Sequence, residues 1–135
     1  MSYGFGISDF ITVPQFAWNV YKTCRDSSSD FKGLSNEVKS LHTVLSNSTN
    51  ITNRGALSVE NDEALSVLRK NCYDVLTDIQ TQLDKYKSLG TGKKRLRDRL
   101  RWAAESVGDI RMRLISNTTE LAAFNSSLSM CVALI

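Results

Sequence analysis

Apolar side chains recur at spacings of three and four residues in four separate stretches of the chain. Because an α-helix has 3.6 residues per turn, this spacing places the apolar side chains on one helix face. Pro14 lies near the start of the first stretch, where its missing N–H costs least, and predicts a main helix over about residues 14–26. The apolar positions of this stretch are Phe10, Val13, Ala17, Val20 and Cys24.

The second and third stretches repeat the pattern. The second predicts a helix over about residues 30–47, whose apolar positions are Phe31, Leu34, Val38, Leu41 and Leu45. The segment SNSTNITNRGA, residues 46–56, is polar and predicts a loop. The third helix is predicted from Ser58 to about residue 88, and its apolar positions are Leu65, Leu68, Cys72, Val75 and Ile79.

The fourth stretch is the longest and runs from Leu96 to Ile135. It predicts either one mostly continuous helix, which we favour, or a break near Asn117, where Asn117 and Glu120 would form a cap pair. Glycines in SLGTGKK separate it from the third helix. Together the four stretches predict an all-α fold, an antiparallel four-helix bundle with a long C-terminal helix.

Composition agrees with one helical domain over residues 1–135. The chain is 41% hydrophobic and 23% charged, with one proline and seven glycines, and its length suits a single core. It ends on the apolar run MCVALI without a helix-stop signal. We therefore expect it to be the N-terminal part of a longer multidomain protein.

Candidate catalytic chemistry is sparse. The three cysteines have no CxxC spacing, which indicates neither a zinc site nor a disulfide framework and predicts a reducing, cytoplasmic location. The one histidine, His42, has no matched nucleophile. Gly92-Lys93 is followed by Lys94 where a phosphate-binding loop needs Ser or Thr. We expect no enzyme activity, no cofactor and no metal.

The opening segment and one basic run are the candidate interaction sites. Between residues 3 and 21 the only formal charge is Asp9, and the segment serves either as a core helix or, once released, as a surface for a partner or bilayer. Its polar residues argue against a permanent membrane span. The candidate partner or membrane residues are Phe5, Ile7, Phe10, Ile11, Phe16 and Trp18.

The basic run follows the two glycines. It is either a solvated charged face or a site for anionic lipid or an acidic protein partner. With a net charge of +3, nucleic acid is not an expected partner. The candidate residues are Lys93, Lys94, Arg95, Arg97 and Arg101.

Three stretches carry a family resemblance: GFGISDFITVPQFAWNVYKTCRDSSSDFKGLSNEVKSLHTVL, SLGTGKKRLRDRLRWAAE and RLISNTTELAAFNSSL. They resemble the helical N-terminal domain of fungal STAND proteins, which are NLR-like receptors, and of fungal ankyrin-repeat proteins. That family is similar in turn to HeLo and HeLo-like cell-death domains. The resemblance covers nearly the whole chain, with gaps at residues 46–61, and its motifs include Asp9-Phe10 and Asn117-Thr118-Thr119.

The resemblance implies a function in signalling. It implies a non-enzymatic cell-death effector module that forms homo-oligomers when the receptor domains downstream in the same chain assemble. It also implies that residues 5–18 form a releasable segment and residues 93–101 a lipid-facing patch, with recruitment to an anionic membrane on activation. The alternative is a structural or homotypic protein-protein docking domain without lipid activity. Pro14 departs from the pattern and weighs against membrane insertion.

Overall fold

Four long helices pack against one another in the computed structural model of the chain. The structure describes the backbone of residues 7–27, 29–53, 58–88 and 93–133, and side chains within 13–27, 31–53, 58–85 and 107–130. These parts contain helices and no strand, so the prediction of an all-helical bundle is confirmed for them. The helices are α1 Ile7–Arg25, the one-turn α2 Ser29–Lys32, α3 Ser35–Thr52, α4 Val59–Ser88 and α5 Lys93–Ala133.

Helix α1 begins earlier than the proline predicted. It starts at Ile7, and Pro14 lies inside it. Pro14 has no N–H to donate to the carbonyl of residue 10, which costs α1 one backbone hydrogen bond. Burial of Val13 and Ala17 on the same side of the helix offsets that loss.

The predicted loop over residues 46–56 is wrong for residues 46–52, because α3 continues to Thr52. Side-chain hydroxyl groups support this last part of the helix: Thr49 Oγ1 donates to the Leu45 carbonyl at 3.2 Å, and Thr52 Oγ1 to the Thr49 carbonyl at 2.9 Å. Ser48 is fully buried there. Polar composition suggested a loop, but these residues place small side chains against the neighbouring helices.

The start of α4 agrees with the sequence prediction. Ser58 Oγ accepts a hydrogen bond from the Asn61 backbone N–H at 3.1 Å, and the Ser58 carbonyl accepts one from Asp62 N–H at 2.9 Å. Asn61 belongs to the first turn, whose N–H groups have no carbonyl partner inside the helix, and the Asp62 bond is the first regular hydrogen bond of the helix. Ser58 is therefore the N-cap that fixes where α4 begins.

Helix α5 continues through Asn117. Asn117 does not act as a cap there, because its Nδ2 donates to the Asn71 carbonyl of α4 at 3.2 Å. The Arg113 guanidinium also pairs with the Asp78 carboxylate of α4. Asn117 of α5 thus lies beside Asn71 of α4, and Arg113, one turn earlier on α5, lies beside Asp78, which is two turns further along α4.

The interior lies where the four long helices meet. Helix α1 packs against α3 and α4, and α5 packs against the same two helices. The buried apolar residues match the predicted spacing closely on every helix with described side chains. They include Val13, Ala17, Val20 and Cys24 of α1, Val38, Leu41 and Leu45 of α3, Leu65, Cys72, Val75 and Ile79 of α4, and Ile110, Leu114 and Leu121 of α5.

Candidate functional site

Three aromatic rings form a cluster on the side of the bundle where α1 meets α3. The Trp18 ring centroid lies 5.1 Å from the Tyr21 centroid and 5.1 Å from that of His42. Both ring pairs are tilted, which is a favourable arrangement for aromatic side chains. Trp18 and Tyr21 are three residues apart and so share one face of α1, while His42 comes from α3. All three side chains are half-buried.

Two cations complete this cluster. The Arg25 guanidinium carbon lies 5.6 Å and the Lys39 Nζ 5.8 Å from the centroid of the Tyr21 ring. Both distances are within the range of cation–π attraction. Asp26, through a hydrogen bond and its charge, raises the pKa of Arg25. We call Trp18, Tyr21, Arg25, Lys39 and His42 the aromatic–cation cluster.

Two aromatic side chains of the predicted opening segment contact different helices. Phe16 packs against the core, and its ring centroid lies 5.5 Å from that of Tyr73 on α4. Trp18 instead contacts Tyr21 and α3. Two residues apart on a helix point about 200° apart, which explains the division. Phe5 lies outside the described residues, as do the side chains of Ile7, Phe10 and Ile11, whose backbone belongs to α1.

The predicted basic patch falls on the first turns of α5, which begins at Lys93. The side chains of this patch lie outside the described residues: Lys93, Lys94, Arg95, Arg97 and Arg101. The patch therefore stays a prediction.

Sequence reasoning missed most of the aromatic–cation cluster. Tyr21, Arg25 and Lys39 were not among the candidate residues, although a signal was present. Trp18, Tyr21 and Arg25 follow an i, i+3, i+7 spacing on one face of α1. The pairing of α1 with α3, which brings Lys39 and His42 to that face, could not be obtained from the spacing.

The described cysteines are buried in the interior. Burial raises the pKa of Cys24 from 9.0 to about 12, and it raises that of Cys72 likewise to about 12. A thiol reacts as the thiolate, so both side chains are chemically quiet at neutral pH. They serve as small apolar groups in the packing between helices.

Arg69 is the largest polar side chain in the interior, with 1% of its surface exposed. Burial lowers its pKa to about 10, the cost of taking a charge out of water. Its Nη2 lies 3.4 Å from Thr49 Oγ1 near the end of α3. This contact places Arg69 where α4 passes the extended end of α3.

No metal-binding constellation occurs in the described part of the chain, since at no place there do three or more His, Cys, Asp or Glu side chains converge. Within the same residues, no helix combines the length and apolar character needed to cross a membrane. The aromatic–cation cluster thus offers apolar surface and positive charge as its chemistry.

No protein-family model matches the chain, and neither a curated protein nor a solved structure matches it.

Proposed function

We propose that the chain is a non-enzymatic interaction module that docks on anionic membrane surfaces through the α1–α3 side of the bundle. The observation that carries the proposal is the aromatic–cation cluster. Half-buried Trp and Tyr rings lie beside Arg25 and Lys39 there, and exposed Lys22 falls on the same face of α1 as Trp18. Aromatic rings with cationic neighbours suit the boundary between lipid headgroups and water.

The biological role that we propose is the one implied by the sequence resemblance. The module would be the N-terminal part of a fungal NLR-like receptor with a function in cell death. Assembly of downstream receptor domains would bring several copies together, and the weak attraction of each copy for an anionic surface would then add up. The basic run over residues 93–101 would contribute further positive charge.

The arrangement that we infer for this module is the predicted antiparallel bundle with a long last helix. Contacts between α4 and α5 run in opposite order, and so do those between α1 and α3, where Trp18 meets His42 and Tyr21 meets Lys39. The 41 residues of α5 support the long last helix.

Vesicle binding tests the membrane proposal. The 135-residue chain should co-sediment with vesicles containing phosphatidylserine and not with vesicles of phosphatidylcholine alone. Arg25→Glu combined with Lys39→Glu should reduce binding at least tenfold, because it reverses both charges beside Tyr21. Lys70→Glu with Lys85→Glu on α4 is the matched control for net charge. Arg97→Glu with Arg101→Glu tests the basic run separately.

Two results would reject the membrane proposal. One is no co-sedimentation at low salt with concentrated protein. The other is an equal loss of binding in the α1–α3 variant and in the α4 control, since attraction would then depend on net charge and not on the cluster.

Homotypic docking is the second candidate function, and three exposed apolar side chains of α5 favour it. Met112, Ile115 and Met130 have 74%, 51% and 69% of their surface exposed. Met112 and Met130 are five turns apart and so share one face of α5, and Ile115 is one turn from Met112. Apolar side chains that share an exposed face are candidates for a protein-protein interaction surface. Sedimentation velocity over a concentration series tests this role: Met112→Lys with Met130→Lys should abolish self-association, and Val67→Lys on α4 should not.

A further inference from the structure

Two cavities lie in line along the groove between α3 and α5. The first has a volume of about 220 Å³ and is lined by Glu37 and Ser40 of α3 and by Ile115, Thr118 and Thr119 of α5. The second has a volume of about 430 Å³ and is lined by Val44, Asn47, Asn50, Ile51, Ala122, Asn125, Ser126 and Ser129. On both helices the residues of the second cavity follow those of the first. The cavities therefore lie one after the other in the groove between these two helices.

The larger cavity has a neutral, polar lining. The described residues around it are asparagine, serine and small or branched apolar residues, with no ionisable side chain among them. This is unusual in a chain of which 23% of the residues are charged. A charged ligand would lose its hydration there without gaining a countercharge, so the lining selects an uncharged one.

Asn125 has an unused hydrogen-bond acceptor in this lining. Its side chain is 8% exposed, and its Nδ2 donates to the Val44 carbonyl of α3 at 3.0 Å. That bond fixes which end of the amide faces α3. The other end, Oδ1, is screened from water and receives no hydrogen bond from the described residues. A buried acceptor without a donor costs free energy, which a ligand carrying an N–H group would recover by parting the side chains that cover Oδ1.

The smaller cavity shows the same pattern. Glu37 pairs through Oε1 with Arg111 at 3.3 Å, but its Oε2 has no hydrogen-bond partner among the described side chains and backbone. Thr118 Oγ1, opposite on α5, is likewise screened and without a partner there. Each of these unpaired atoms is an oxygen. The carboxylate oxygen of Glu37 can only accept, whereas the Thr118 hydroxyl can accept or donate. Each cavity therefore has at least one acceptor that favours an occupant that donates hydrogen bonds.

We infer that the α3–α5 groove binds an extended, uncharged polypeptide segment of a partner protein through the main-chain N–H groups of that segment. The lining covers fifteen residues of each helix, which is about 21 Å at 1.5 Å per residue. An extended chain rises about 3.3 Å per residue, so about six residues span both cavities.

The hydrogen-bonding pattern favours an extended partner over a helical one. Beyond its first turn, a helix uses its main-chain N–H groups internally and has none to donate to the groove. An extended segment presents free N–H and C=O groups along its length. Asn47 and Asn50 on the rim each have a donor and an acceptor, which can pair with both kinds of main-chain group. The Ser126 hydroxyl donates to the Ala122 carbonyl at 3.2 Å, and its oxygen remains as an acceptor.

Titration with main-chain mimics tests the inference. The first probe is N-acetylglycine N-methylamide, and its control is N-acetylsarcosine dimethylamide, which has no N–H group. In ¹⁵N NMR of the 135-residue chain, the first probe should give saturable shifts at the side-chain amides of Asn47, Asn50 and Asn125. The control should bind at least fivefold more weakly. A capped Ser-Gly-Ser-Gly-Ser-Gly peptide, long enough for both cavities, should bind at least tenfold more tightly than the first probe.

Variants locate the site. Asn125→Leu removes the unused acceptor and should weaken binding of the capped peptide at least tenfold. Asn117→Leu is the matched control, because Asn117 donates to a carbonyl of α4 on another side of α5, and it should change binding less than twofold. If Asn125→Leu does not fold, Ser129→Phe replaces it, since Ser129 is an exposed rim residue whose enlargement fills the larger cavity.

Shifts that rise linearly with every probe, or equal binding of the two small probes, would overturn the inference. The groove would then hold only water. These outcomes are independent of vesicle binding, because the groove and the aromatic–cation cluster share no residue.

Discussion

Helices α3 and α5 contribute to both the bundle interior and the groove between them, but the two regions differ in the side chains that line them. In the interior, α3 contributes Leu41 and Leu45, which are fully buried against other apolar side chains. Two and five residues beyond Leu45 on the same helix, Asn47 and Asn50 line the groove. The interior provides stability through apolar burial, whereas the groove combines open volume with hydrogen-bonding groups that are unused.

Within α3, the residues that stabilise the fold are therefore different from the residues that line the groove. A side chain that packs in the interior contributes to stability only by being buried. Asn125, although almost as buried, has one satisfied and one unsatisfied end. If the comparison holds, substitutions in the interior will change stability strongly, and those in the groove will change it weakly while altering binding.

The largest expected effect is that of Leu41→Ala in the interior. Leu41 is fully buried, and removal of its side chain should lower the free energy of unfolding by about 2–5 kcal/mol, through lost burial and the cavity left behind. Urea denaturation followed by circular dichroism measures this. Val67→Ala is the control, because Val67 is 60% exposed, and it should cost less than about 0.5 kcal/mol. Similar losses in both variants would contradict the proposed interior.

The next effect is a loss of stability in alkaline solution caused by the buried thiols. Burial holds the pKa of Cys24 and Cys72 at about 12 in the folded chain, against 9.0 when unfolded. Above pH 9 the unfolded chain therefore releases protons that the folded chain retains. The stabilising effect is complete below pH 9 and is lost as pH rises toward 12, by about 1.4 kcal/mol per pH unit for each thiol.

Denaturation curves between pH 8 and 10 measure this loss before Arg69 interferes. The lowered pKa of Arg69, about 10, has the opposite sign and adds stability as pH rises above that value. Cys24→Ala is the diagnostic variant, because it should remove about half of the slope whatever its stability at neutral pH. If Cys24→Ala leaves the pH dependence of the free energy of unfolding unchanged, the Cys24 thiol does not cause the loss of stability.

Asn125→Leu should have a small effect on stability. It removes the hydrogen bond to the Val44 carbonyl but also removes the unpaired Oδ1, so the two changes offset each other and the free energy of unfolding should move by about 1 kcal/mol or less. Urea denaturation beside Leu41→Ala makes the comparison direct. A loss as large as that of Leu41→Ala would mean that Asn125 belongs to the stabilising interior and not to a binding groove.

The smallest effect is expected at the surface between α4 and α5. Arg113→Gln breaks the ion pair with Asp78. Because the side chains of Arg113 and Asp78 are 39% and 49% exposed, the free energy of unfolding should fall by less than about 1 kcal/mol. Addition of salt to the original chain should remove most of that difference, because exposed ion pairs are screened. A salt-independent loss would indicate that Arg113 also has a packing role.

The sequence predicted the interior well, but it did not predict the aromatic–cation cluster or the groove. Spacing of apolar residues identified Val38, Leu41 and Leu45 as one helix face, and they are buried together. The same rule works for α4, whose start near Ser58 was also predicted. These features are local or depend only on helix periodicity, so a single sequence contains them.

The end of α3 and the groove could not be predicted from the sequence. Asn and Ser favour loops on average, but the polar segment at residues 46–52 is helical, with Ser48 buried in the interior. The unused acceptor of Asn125 depends on a carbonyl 81 residues away. Which distant groups meet is decided by tertiary packing, which spacing along the chain does not encode.

Pro14 divides α1 into two unequal parts. The backbone hydrogen bond that it cannot make would have joined residue 10 to the body of the helix. The first turns of α1 can therefore unwind at a lower free energy than the rest of the bundle. Amide protons of residues 8–13 should exchange with deuterated water before those of residues 16–24, so the chain can offer a short unfolded end to a partner while its centre stays folded.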